Sequence, residues 1–442
     1  MAHSTVALSR SIRSRAGSVL LLLLLFAVCP WLAKAATPDP VLEWNAIMNT
    51  TVLAGGTNPL VTSRVAALVA GSVFDAVNGI EPRYAPLHVR ARGPHRASQR
   101  AAAVQAAYAM LVKLYPMQLA ALTTQRNASI AALQATESAN SILSGMAWGQ
   151  SVADSIFAWR STDGFAPPPP PFLGVLGIES TTAAVGVWRP TPTANLPGAA
   201  PQFATMTPWV LTRPSQFRLP PQPALTSAEY TADYNELLMM GGLTGSQRTT
   251  DQTELSFFWT GNTPLYWNRI ASQAAMARSL SLEQNAHLLA VLNVSMADAG
   301  IACWDGKYRY VAWRPITAIR EGDRDGNADT VADPAWQPLL DQTIGTPPHP
   351  EYPSGHSTVS GAAAFVLARV FGNDTPFTVT SEVRPGTRSF PSFSAGLAEI
   401  NDARVFGGIH FRTSCVLGNV LGAEVASYVL RHAMRRGDDD RD

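Results

Sequence analysis

The run Thr62-Ser-Arg-Val-Ala-Ala-Leu-Val-Ala-Gly-Ser-Val-Phe-Asp-Ala-Val-Asn78 sets how the rest of the chain is read. Val65, Leu68, Val69, Ser72, Val73 and Ala76 recur at intervals of three and four, so a helix gathers them on one small, mostly apolar face. Residues 101–114 and 139–159 repeat the pattern with many alanines, which let helices pack closely. Further helices are expected at 251–259, 271–279, 281–302, 356–371 and 414–435. Thr226-Ser-Ala-Glu229 reads as a capping box opening a helix to about Met240. Alternating strand patterns are scarce, so the fold class is all-α, a helical bundle.

One segment breaks the pattern. Residues 166–225 carry Pro167 to Pro171 and nine more prolines from Pro190 to Pro223, a density that excludes long helices. Phe172, Trp188, Phe203, Trp209 and Phe217 need burial, which favours an ordered, extended belt over a free linker. The expected organisation is a helical region at 36–165, this belt at 166–225, a second helical core at 226–436 and an acidic tail at 437–442.

The chain has 442 residues, 46% hydrophobic and 15% charged, too apolar for disorder and long enough for a large core or two domains. Its 33 basic and 32 acidic residues leave no basic field for nucleic acid. Arg10, Arg13, Arg15 and Lys34 lie in the first 35 residues, where there is no acid. There the arginines precede the apolar stretch 19–28 and an Ala33-Lys-Ala35 cleavage site, the pattern of a secretory signal. Val28 before Cys29 argues against lipidation. No later stretch reaches the ~18 apolar residues of a membrane span. The expectation is an exported chain, secreted or periplasmic, cleaved near Ala35. Cys303 and Cys415 then remain, too few for a disulfide framework, and whether they pair is left open.

No Walker A loop, Rossmann glycine fingerprint, HExxH or GxSxG occurs. Three C-terminal elements carry chemistry instead. In Lys307-Tyr-Arg-Tyr-Val-Ala-Trp-Arg-Pro315 the two outer cations, Lys307 and Arg314, stand seven apart, so a helix would face both the same way and favour an anion. In Tyr352-Pro-Ser-Gly-His-Ser357, Ser354 can cap the following helix, offering N–H groups near Gly355 to an oxyanion and placing His356 for proton transfer. In Arg404-Val-Phe-Gly-Gly-Ile-His410 the spacing of six keeps the ends off one helix face, but Gly407-Gly408 suggests a bend that joins them. Asp323-Arg-Asp-Gly-Asn-Ala-Asp329 has its glycine too early for a calcium loop and reads as a turn.

In order and spacing, the three elements resemble the vanadium-dependent haloperoxidase and type 2 phosphatidic acid phosphatase superfamily. Its pattern is a Lys, six residues and Arg-Pro, then Pro-Ser-Gly-His, then Arg, five residues and His. Flanking runs such as Trp313-Arg-Pro-Ile-Thr-Ala-Ile-Arg320 and Thr346-Pro-Pro-His-Pro-Glu-Tyr-Pro-Ser-Gly-His356 are similar to secreted bacterial members. The resemblance implies vanadate as cofactor, with His410 as axial vanadium ligand. Lys307, Arg314, Arg404, Ser354 and Gly355 would hold its oxygens, and His356 would be the acid–base partner. The activity implied is oxidation of a halide by hydrogen peroxide, with an organic acceptor downstream. A phosphate monoester hydrolase using His410 as nucleophile is the alternative. Helix-rich members often associate, so a homodimer is also raised. At the position of His349, fungal chloroperoxidases of the family carry Phe and algal bromoperoxidases His, which favours bromide or iodide over chloride. The phosphatase branch places an acid shortly after the last His to orient it. Phe411-Arg-Thr-Ser414 has none, which favours the peroxidase, and Asp251 or Glu254 is the expected partner of Arg404 or His410.

Overall fold

A computed structural model describes residues 39–174, 185–192 and 194–437. The expected secretory signal, residues 1–35, and residues 438–442 of the expected acidic tail lie outside the described residues. The chain runs α1 (Pro40–Ala54), α2 (Pro59–Ile80), α3 (Gln99–Leu114), α4 (Leu119–Leu133) and α5 (Ala139–Arg160) before the belt. After it come α6 (Ala228–Met240), α7 (Thr250–Phe258), α8 (Thr263–Ala277), α9 (Leu282–Tyr310), α10 (Pro315–Arg320) and α11 (Gly355–Phe371). An antiparallel hairpin, β1 (Phe377–Thr380) and β2 (Thr387–Phe390), precedes α12 (Phe393–Phe406) and α13 (Arg412–His432).

The all-α expectation holds, with one two-stranded hairpin. Several boundaries differ for local reasons. Ser227, not Thr226, caps α6 by accepting from the Tyr230 N–H, so no capping box forms there. Boxes form instead at Thr249/Gln252 and Ser281/Gln284. Asn262 and Pro264 open α8 well before residue 271. Helix α9 runs past 302 to Tyr310, which carries Lys307 onto its last turn. Helix α12 has no counterpart among the expected helices.

Helix α9 is the central strut. It is buried along almost its whole length and packs against α2, α11 and α13, so the N-terminal helices and the C-terminal core share one hydrophobic centre. Helices α11 and α13 pack most intimately. A Cβ on Gly422 would stand 2.1 Å from the Thr358 carbonyl oxygen, an approach only glycine permits. The Ser354 N–H donates to the Ser414 carbonyl oxygen at 3.1 Å, locking the start of α11 to the start of α13.

The belt is anchored as its aromatics require. Trp188, Phe203 and Trp209 are buried, while Phe172 and Phe217 are half-buried. Ala199 ties it to the core, accepting from Trp304 Nε1 at 3.1 Å and Tyr308 Oη at 2.7 Å. The Asp325 carboxylate is spent within its own turn, accepting from the Asn327 N–H and the Thr330 hydroxyl.

The expectation about membrane spans is corrected. Helices α2, α9 and α13 are each long and apolar enough to cross a membrane by length and composition. Alanine, glycine and serine dilute the apolar runs without making them polar, so a search for unbroken runs passes over them. In α2 and α9 that apolar window is 94% buried inside the fold, and in α13 44%.

Candidate active site

Lys307 and Arg314 do not share a helix face. Helix α9 ends at Tyr310, Val311 takes a left-handed conformation (φ 52°), and Arg314 becomes the residue that opens α10. The turn still brings both cations inward, and both are fully buried. Ser354 caps α11 as expected, accepting from the Ser357 N–H. A Cβ on Gly355 would stand 3.9 Å from Lys307 Cε, so the start of α11 faces this cation. Arg404 lies in the last turn of α12, Gly407 and Gly408 reverse the chain, and His410 precedes α13. The turn demands glycine: Gly408 has φ 78°, and a Cβ there would meet the Gly241 carbonyl oxygen at 2.4 Å.

The structure thus gathers Lys307, Arg314, Ser354, Gly355, His356, Arg404 and His410, with His349 beside them. Lys307 Nζ donates to the carbonyl oxygens of Pro350 and Glu351, both at 2.8 Å. Arg314 donates to the His349 carbonyl oxygen at 2.8 Å and the Ile409 carbonyl oxygen at 2.7 Å. Its remaining nitrogen donates to His349 Nδ1 at 2.9 Å. The His349 ring also lies against Trp304, with centroids 5.0 Å apart. Arg404 is fully buried too but differs from both cations: among the described residues none of its three guanidinium nitrogens has a hydrogen-bond partner. The buried Nε2 of His356 likewise has none. His349, Gly355 and His356 are half-buried where the rest of the site is buried, so they mark its accessible side.

Burial lowers Arg314 and Arg404 only to about 10, so both stay charged at neutral pH. Burial also pushes Lys307 down. His356 is held well below the usual histidine range by burial and then by Arg404, His410 by burial and then by Arg314. Neutral imidazoles beside fixed cations make a site that binds an oxyanion and can accept a proton.

The carboxylate partner of His410 is neither Asp251 nor Glu254. Both sit on α7 and pair with arginines of the hairpin region, Asp251 with Arg388 and Glu254 with Arg384. The partner is Glu351, whose Oε1 lies 2.7 Å from His410 Nδ1, with both side chains 3% exposed. Sequence reasoning missed it, although Glu351 lies inside the Thr346–His356 run, where an acid among prolines was the available signal. Since an acid does pair with His410, its absence after residue 410 no longer separates peroxidase from phosphatase. Cys303 and Cys415 are both buried free thiols. Among the described residues no group of three His, Cys, Asp or Glu could hold a metal ion.

Residues 287–439 match the family model for the second helical-bundle domain of VCPO. A vanadium chloroperoxidase of Curvularia inaequalis is 29% identical over 201 residues, which cover 39% of this chain and 32% of that protein. The chain thus spans about a third of the length of that curated relative. The crystal structure of the first bacterial vanadium-dependent iodoperoxidase superposes with a TM-score of 0.78 at 26% identity, covering 91% of this chain and 98% of that one. A holo-type bacterial vanadium-dependent chloroperoxidase shares the fold, with a TM-score of 0.64 at 18% identity over 84% of this chain and 91% of that one.

Proposed function

Because the chain belongs to the vanadium-dependent haloperoxidase and type 2 phosphatidic acid phosphatase superfamily, we propose that it is a vanadate-dependent haloperoxidase that oxidises a halide with hydrogen peroxide, with bromide favoured. One observation carries the reading. The buried Arg404 guanidinium has no hydrogen-bond partner among the described residues, and an unpaired buried charge costs several kcal/mol on the order of magnitude seen for broken buried ion pairs. An oxyanion beside it removes that cost, and the donor set around it fits vanadate: three cations, the Ser354 hydroxyl, the first-turn N–H of Gly355 and the His410 imidazole.

In this reading Lys307, Arg314, Arg404, Ser354 and Gly355 hold the oxygens and His410 Nε2 the vanadium. Bound vanadate supplies the Lewis-acid centre at which peroxide becomes reactive toward a halide. His356, neutral and with Nε2 unpartnered, takes a proton at that atom and returns it later. Lys307 and Arg314 are pinned by backbone carbonyls, so their nitrogens are in place before any ligand arrives. His349, tied to Arg314 and flanked by Trp304 on the accessible side, is the residue we assign to halide preference. The arginine-led apolar segment at the N-terminus supports export to the periplasm or medium.

The second reading, phosphate ester hydrolysis with His410 as nucleophile, is favoured by the Glu351–His410 pair, which directs a lone pair onto Nε2. The test is a divided preparation of purified protein freed of phosphate and vanadate. One half receives orthovanadate and is assayed for bromination of a dye with bromide and peroxide, the other for aryl phosphate hydrolysis. Vanadate-dependent bromination lost in His410→Ala supports the peroxidase. Hydrolysis inhibited by vanadate, without bromination, overturns it in favour of the phosphatase.

A further inference from the structure

We propose that Glu351 is the positioning residue of the oxyanion site, fixing both the tautomer and the aim of His410. Its carboxylate makes two bonds through one oxygen: His410 Nδ1 lies at 2.7 Å and the Phe411 N–H donates at 3.1 Å. Ring and adjoining backbone are therefore held by the same atom, which restricts rotation of the imidazole about its bond to the main chain. The Phe411 N–H donates to that same oxygen, which marks it as an acceptor, so Nδ1 carries the hydrogen. On the other side of the ring, Arg314 Nη1 stands 3.3 Å from Nε2, and a guanidinium only donates. That longer contact suits the tautomer which the 2.7 Å bond to Glu351 sets, and it leaves the Nε2 lone pair facing Arg314 and the site. A histidine ligand ordinarily has its second nitrogen held in this way, and the pairing sets its orientation and basicity.

The backbone at Glu351 extends the same control to the cations. The three successive carbonyls of His349, Pro350 and Glu351 accept from Arg314, Lys307 and Lys307. The Glu351 N–H is itself anchored to the Ala312 carbonyl oxygen at 2.9 Å. One short segment therefore places His410 by its side chain and Lys307 and Arg314 by its main chain. Among the described residues no other carboxylate bonds to any of these three side chains. The assignment is geometric, and it rests on the haloperoxidase reading only where vanadate is used as the probe.

The test uses the full chain labelled with 15N-histidine, with the His410 signals identified by their loss in His410→Gln. Wild type is expected to show the Nδ1–H tautomer at His410 without any ligand. Glu351→Gln, whose amide oxygen can accept the same bond, should retain it. Glu351→Met, of similar length and without a comparable acceptor, should lose it. Calorimetric titration with orthovanadate should show binding weakened about 10- to 100-fold in Glu351→Met and less in Glu351→Gln. Glu254→Gln, a surface control, should bind as wild type does. An unchanged tautomer in Glu351→Met, or an affinity loss no larger than that of Glu254→Gln, overturns the proposal. Should Glu351→Met fail to fold, loss of the Nδ1–H tautomer in Glu351→Gln overturns it and retention supports it. If wild type takes up no orthovanadate, the haloperoxidase reading fails, while the tautomer still decides the role of Glu351.

Discussion

Arg404 and His356 are coupled through their charges and are the two members of the site whose hydrogen-bonding atoms lack partners among the described residues. After burial, the Arg404 charge is the largest influence keeping the His356 imidazole neutral, and neither Arg404's guanidinium nitrogens nor His356 Nε2 has a partner. A cation with nothing to bind beside a base with nothing to receive is costly in a folded protein unless a ligand completes both.

This predicts an inverted stability effect. Arg404→Met removes an uncompensated buried charge, so the ligand-free variant should melt at or above the wild-type temperature. Wild type with orthovanadate at a hundred times its dissociation constant should gain about 2.7 kcal/mol. The variant should gain none. Calorimetric scans with and without orthovanadate measure both, and a ligand-induced shift surviving in Arg404→Met contradicts the prediction.

The reversal at Gly408 should tolerate no side chain. Gly408→Ala combines a positive φ with a 2.4 Å approach to the Gly241 carbonyl oxygen and one of 2.7 Å to Pro338 Cβ. We expect at least about 2 kcal/mol of destabilisation in urea unfolding, with orthovanadate affinity reduced because His410 follows the turn. A variant as stable as wild type would show that the turn relaxes freely.

A pH effect far from the site follows from His287. It stacks on Tyr84 at 4.0 Å, and its Nε2 bonds the Met434 carbonyl oxygen, fastening the C-terminal segment to the start of the chain after α2. Burial holds its pKa below the ordinary 6.5. A histidine depressed in the fold binds its proton more readily when unfolded, so its stabilisation is intact above pH 6.5 and falls as pH drops. The loss is at most about 1.4 kcal/mol per pH unit. Denaturant titrations between pH 7 and 5 should therefore show wild type losing stability more steeply than His287→Tyr. Equal slopes would mean that His287 is not neutral in the fold.

Halide preference should respond to His349. In His349→Phe the Arg314 nitrogen that donates to His349 Nδ1 loses its acceptor, and the wall opposite Trp304 becomes apolar. The ratio of chloride to bromide oxidation is expected to rise roughly tenfold, about 1.4 kcal/mol of differential stabilisation. An unchanged ratio would assign halide preference elsewhere.

Much of the architecture was legible because helix periodicity is local. The faces of α2, α3 and α5 emerge from spacing alone, and the Pro-rich belt from its composition. Helix α12 escaped because Phe393–Phe406 interleaves acids, glycine and alanine, leaving a weak apolar face that only tertiary packing defines. Lys307 and Arg314 do come together, but not as the spacing suggests: the left-handed Val311, not a shared helix face, brings them together. Glu351 was hidden because its bond to His410 joins residues 59 apart in sequence. Asp251 and Glu254, the acids expected to pair with Arg404 or His410, are instead turned by α7 toward the arginines of the hairpin region.

The most direct measurement titrates phosphate-free protein with orthovanadate while bound vanadate and bromide oxidation by peroxide are followed in the same samples. The account predicts one vanadate per chain, oxidation rising in proportion to occupancy, and neither signal in His410→Ala. Oxidation that proceeds without vanadate, or full occupancy without oxidation, would contradict it.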